Sequence, residues 1–236
     1  MNSDQISVLV LILAGVGAFL FLIASLSKMR LKQKSRSRND IKAFAKSARM
    51  TFYKNSPELD ELLKRFEMMQ RHNAQVQISN VLLSRSGELS VSLFEFSWIT
   101  SGQIGVQQKQ TAVLFDDFRL SLSHFLLRPR KMGDLLDSLS GCSDVVPERC
   151  PEFNNAFRVV GEAPLETHQL LTDEFVEYFL QNQNLCVEGL GNYFLVFAPD
   201  SLIAPPDLHG FLDSHLTGYH LLRQAASRSK QTKTPS

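Results

Sequence analysis

The chain has 236 residues, 44% hydrophobic and 21% charged, with 17 Phe against one Trp. That composition excludes a disordered polymer and leaves about 180 residues for a core once an apolar N-terminus and a polar tail are set aside. The net charge of +1 hides a segregation, because residues 28–49 carry +8, residues 50–222 carry −10 and the tail from Arg223 carries +4. An acidic body excludes nucleic acid as a partner, since phosphate contacts need clustered Lys and Arg on the domain itself.

In chain order, the first element is a membrane helix from Ile6 to Leu26, 21 uncharged residues of which 14 are Leu, Ile, Val or Phe. At 1.5 Å per residue it spans about 31 Å, the thickness of a hydrocarbon core. Nine basic residues lie between Lys28 and Arg49, so the positive-inside rule places the N-terminus outside and the body in the cytoplasm. A cleaved signal peptide is disfavoured, because the early charge is the acidic Asp4 and the basic residues follow the span. The expected location is the inner (cytoplasmic) membrane, single-pass, with the lipid bilayer as first partner and an unidentified protein as a second.

Lys28 to Asn39 reads as a basic spacer in which Lys28, Arg30, Lys32, Lys34, Arg36 and Arg38 contact lipid headgroups, at about 1 kcal/mol per basic residue near an anionic surface. Asn39 or Asp40 then caps a helix to about Met50, and Ser56-Pro57 opens another with Leu59, Leu62, Leu63, Phe66 and Met69 on one face. Strands follow over AQVQISNVLL from Ala74 and ELSVSLFEFSW from Glu88, the second switching parity between Leu93 and Phe94, as a bulge or burial of both faces requires. A Gly- and Gln-rich loop leads to TAVLF, and FRLSLSHFLL comes after a turn at Asp116-Asp117, so a four-stranded antiparallel meander is expected.

A short helix over 133–140 and an irregular stretch to Asn155 lead to a second unit: a strand from Phe157, helix from Leu165 to Gln181, and strands around a turn at Gly191-Asn192. Pro205-Pro206 starts a last helix with Leu208, Phe211, Leu212, Leu216, Tyr219 and Leu222 on one face, and the tail from Ser227 is expected to be disordered. The expected fold is α+β: an N-terminal transmembrane helix (1–27), a spacer (28–39), helices with a four-stranded unit (40–130), a second α+β unit packed on it (131–226), and the tail.

Ile78-Ser-Asn-Val-Leu82, the aromatic strand Phe94 to Trp98, Gln110 to Phe115, Phe125-Leu-Leu-Arg-Pro129 and Val187-Glu-Gly189 together resemble a group of uncharacterised bacterial proteins with one N-terminal membrane helix and a cytoplasmic α+β domain. The resemblance implies that topology and fold class and carries no catalytic residues.

No GxSxG, HExxH, P-loop or complete dinucleotide loop occurs, so neither a cofactor nor a metal is expected. Cys142, Cys150 and Cys186 have no CxxC spacing, and His209 and His220 sit about 16 Å apart along one helix, too far to share an ion. The weak ligand-contact candidates are Trp98, at the end of an aromatic stripe, and Arg128 and Arg130, which flank a proline at a strand end. These features favour a non-enzymatic membrane-tethered binding or scaffold module, with an enzyme whose site lies between the two α+β units as the alternative.

Overall fold

A computed structural model describes residues 38–70, 74–100, 109–130, 143–147 and 150–232. The span Ile6–Leu26, Lys28 to Arg36 of the spacer, the Gly- and Gln-rich loop and the expected 133–140 helix lie outside the described residues. Among the described residues no helix is long and apolar enough to cross a membrane. The chain divides into two compact units, residues 1–43 and 44–236. Residues 38–47 are helical (α1).

The second unit is built on one sheet of nine described strands, every neighbouring pair antiparallel. They are β1 (Thr51–Tyr53), β2 (Ala74–Ser86), β3 (Leu89–Thr100), β4 (Gln110–Asp117), β5 (Leu122–Pro129), β6 (Ser143–Asp144), β7 (Phe157–Gly161), β8 (Cys186–Gly191) and β9 (Tyr193–Phe197), in spatial order β1-β2-β3-β4-β9-β8-β5-β7-β6. Helices α2 (Pro57–Leu63), α3 (Pro151–Ala156), α4 (Pro164–Leu170), α5 (Asp173–Gln181) and α6 (Leu208–Thr232) complete the fold.

Strand alternation assigns the two faces. Ile78, Phe94, Phe96, Ala112, Leu114, Leu195, Phe197, Cys186, Leu126 and Val160 pack under Leu59 and Leu63 of α2 and under Phe66, Met68 and Met69. That is the α2 face. On the α6 face, Phe115 stacks on Tyr219 with centroids 4.7 Å apart, and Phe157 and Phe175 pack on Phe179 of α5. Gly189 faces the Phe125 ring so closely that a Cβ there would lie 2.1 Å from Cε1.

Several elements follow the sequence closely. The Ser56 side chain accepts from the Leu59 amide at the start of α2, with Pro57 at its first turn. The parity switch in β3 comes from burial of both faces: Val91 and Leu93 on one side and Phe94 and Phe96 on the other are all buried. β3 itself carries no bulge, for it pairs with β4 in unbroken register from Leu89 to Phe96; the irregularity lies in the neighbouring strand, between Ser79 and Leu82 of β2, with Asn80 at φ 52.

The four-stranded meander does not form. β5 leaves β4 after the Phe118-Arg119 turn and pairs with β8 and β7, while the β8–β9 hairpin takes the place beside β4. Both strands are buried on both faces, with Phe194, Leu195, Val196 and Phe197 of β9 and Phe125, Leu126 and Leu127 of β5 all 2% exposed or less, and this order gives each of them a neighbour on either edge. Asp116 and Asp117 end β4 instead of forming the turn. The helix expected over 165–181 is two, broken at Leu171-Thr172, where the Thr172 hydroxyl accepts from the Phe175 amide and caps α5. The stretch expected to be irregular holds β6 and α3. Helix α6 continues to Thr232, past the expected start of the tail, because Leu222, Ala225 and Ala226 extend its buried stripe and Ser229 bonds Gln169 of α4.

Candidate functional site

Two buried carboxylates organise the polar interior, one on each face of the sheet. Glu188, in the middle of β8, is fully buried. Its Oε1 accepts from the Glu67 amide at 2.8 Å and its Oε2 from the Met68 amide at 2.9 Å, so it caps the short 3-10 turn Glu67–Met69 that follows α2. His124 of β5 places Nε2 2.8 Å from Oε1 of the same carboxylate, and its Nδ1 lies 3.6 Å from Glu162. The hydrogen bond to Glu188 raises the His124 pKa, against the opposing effect of burial. Burial, and then the Glu188 charge, raise the Glu67 carboxyl.

Asp117, at the end of β4, is also fully buried, on the α6 face. Arg119 grips it three ways: the backbone amide at 3.0 Å, Nε at 2.7 Å to Oδ1, and Nη2 at 3.0 Å to Oδ2. The Tyr219 hydroxyl of α6 donates to Oδ2, and Arg223 Nε approaches within 3.8 Å. Burial alone would raise the Asp117 pKa, but the bonds from Arg119 and Tyr219 outweigh it and hold the carboxyl below its ordinary value. Its neighbour Asp116 points to the other face, bonds Asn192 and is raised, chiefly by burial. Tyr219 is pushed up to about 12 by burial and by the Asp117 charge.

Each carboxylate already accepts several directed hydrogen bonds, so neither is a free base, and each ties a roof element to the sheet. Among the described residues no group of three His, Cys, Asp or Glu is placed to hold a metal ion. His215 of α6 meets the Tyr178 hydroxyl at 3.2 Å, and burial lowers its pKa to about 4.

Two cavities open near these centres. One of about 240 Å³ is lined by Ser123, Glu166, Thr167, Leu170 and Ala226, with Ser123 donating to Glu166. The other, about 410 Å³, lies beside the start of β2 and is lined by Leu63, Met69, Gln75 and Val76.

The ligand-contact candidates do not converge. Trp98 packs edge-on against Phe96 at 5.0 Å as a half-buried part of the α2-face core. Arg128 is 6% exposed in β5, directly across from Arg158, while exposed Arg130 donates to the Asn154 carbonyl. Three strands separate β3 from β5, roughly 19 Å at 4.8 Å per strand, and Trp98 lies further along β3 than Phe94, the residue in the row of Arg128. The sequence reading passed over Glu188, His124 and the hub role of Asp117. For Glu188 the signal was a lone acid inside the apolar run LCVEGL.

The described part of the chain therefore defines a mixed α+β fold with an antiparallel sheet and flanking helices. No family model matches the chain, and no curated protein matches it. A solved structure does: the mycobacterial trehalose monomycolate transport factor A, TtfA, matches with a TM-score of 0.58 over 80% of this chain and 93% of that one, at 13% identity. At that identity the likeness concerns the fold.

Proposed function

We propose that the chain is a membrane-tethered accessory module for transport at the inner membrane, in which a cytoplasmic α+β body binds a lipid or a protein partner. The observation that carries this reading is the fold correspondence with TtfA, itself named a transport factor, over 93% of that chain. The uncharged 21-residue run Ile6–Leu26 and the +8 segment behind it support an N-out, C-in anchor. The basic residues Lys28 to Arg38 hold anionic headgroups, and the −10 body is repelled by them. A binding role also agrees with carboxylates that are consumed in structural bonds.

In vivo crosslinking followed by mass spectrometry of the detergent-solubilised chain tests the proposal. One membrane transport component or one lipid class is expected to accompany the chain across growth states. Recovery of the chain alone, or its release from membranes by alkaline carbonate, overturns the reading. Replacing Lys28, Arg30, Lys32, Lys34, Arg36 and Arg38 with Gln is expected to abolish selectivity for anionic over neutral vesicles.

A further inference from the structure

β2 is the longest of the described strands, 13 residues, and its pairing with β3 extends from Ala74 to Ser86. Its other edge is covered only in part: β1 lies opposite Val81 to Leu83, and the Lys54 carbonyl accepts from the Asn80 amide. Among the described residues β1 is the only strand on that edge, so residues 74–79 present a bare run of backbone donors and acceptors. Open edges are normally blunted by Lys, Pro or inward charge, yet Ala-Gln-Val-Gln-Ile-Ser contains none of these. The bulge that bends β2 comes only after this run, between Ser79 and Leu82.

We infer that this edge pairs with the same edge of a second copy of the chain, antiparallel about a two-fold axis at Gln77. The two-residue period places Val76 and Ile78 on the α2 face and Gln75, Gln77 and Ser79 on the other. An axis at Gln77 sets Val76 against Ile78, Gln75 against Ser79 and Gln77 against itself. Apolar meets apolar, amide meets amide or hydroxyl, and no charge faces another. An axis between two residues would oppose odd to even positions, whose side chains lie on opposite faces, and an antiparallel ladder with its two-fold normal to the sheet does not allow that. With the axis at Gln77 the two sheets become one, and the cavity beside Val76, lined by Leu63 and Met69 and also by Asp60 and Lys64, lies next to the new pairing. A second copy fits this edge because the run itself is uncharged, while the −10 bodies repel at longer range. Association therefore tightens as salt screens that repulsion.

Cysteine crosslinking of the full chain in its membrane tests the register, because directly opposed strand residues sit about 4.5–5.5 Å apart at Cα, within disulfide reach. Under mild oxidation Gln77→Cys is expected to give a covalent dimer well above the parent chain's background. Gln75→Cys is expected to do so only when co-expressed with Ser79→Cys. Gln77 is exposed, so a charge there leaves the core intact. Gln77→Lys should abolish the dimer in sedimentation of the solubilised chain, and an equimolar mixture with Gln77→Glu should restore it. A Gln77→Cys chain that crosslinks no more than its parent, or a Gln77→Lys chain that self-associates unchanged, overturns the inference.

Discussion

The two buried carboxylates solve one problem with different chemistry. Glu188 is held by two backbone amides and an imidazole, whereas Asp117 is held by a guanidinium, a phenol and one amide. Each fastens a roof to the sheet: Glu188 the 3-10 turn behind α2, Asp117 the long helix α6. The His124 pKa is raised and the Asp117 pKa is lowered, so the two faces of one sheet respond to pH in opposite directions.

Removing the acids gives the largest expected effect. Glu188→Ala strands two amides and the His124 ring in the interior, and a loss of about 3–5 kcal/mol is expected in urea unfolding followed by the fluorescence of the sole Trp, Trp98. Tyr219→Phe takes one donor from Asp117 and leaves Arg119 in place, so about 1.5–3 kcal/mol is expected in the same measurement. A Tyr219→Phe loss equal to that of Glu188→Ala would mean that the phenol, not Arg223 as the other α6 residue beside Asp117, holds α6 down.

The pH response separates the faces more sharply. His124 has a raised folded pKa, so its contribution is complete below about 6.5 and disappears as pH rises through the raised value. Asp117 has a depressed one, so its contribution is complete above about 3.9 and disappears as pH falls through the lowered value. Glu67, raised, works in the same direction as His124, beginning nearer the ordinary carboxyl range. Hydrogen exchange should accelerate first at the Met68 amide on raising the pH and first in α6 on lowering it. Simultaneous loosening of both regions would unite them into one cooperative unit. The smallest effect is local to the α2 face: Ser56→Ala deletes the cap of α2 and should cost about 1 kcal/mol while leaving exchange in α6 unchanged.

Local chemistry was legible in the sequence where a residue acts on its own neighbours. Ser56-Pro57, the turn around Asn192 and the Pro205-Pro206 helix start all express preferences a few residues long. The strand order was not, because nothing in FRLSLSHFLL states that a hairpin some 70 residues later will displace it. The hubs were hidden for the same reason. Glu188 finds Glu67 across 121 positions and Asp117 finds Tyr219 across 102, so their roles exist only once the sheet has assembled. Trp98, Arg128 and Arg130 were picked as ligand contacts on local character, and the sheet order that keeps Trp98 in β3 apart from Arg128 in β5 was not legible.

The insertion of β8 and β9 between β4 and β5 also sets a timetable for synthesis. When β4 leaves the ribosome its future neighbour has not been made, and the 76 residues from Asp117 to Tyr193 take roughly 4–15 s to translate at about 5–20 residues per second. Throughout that interval the flank of β4, with Ala112, Val113, Leu114 and Phe115, is an unsealed apolar strand. The nascent chain therefore passes through a window of aggregation risk that closes only when β9 takes its place beside β4.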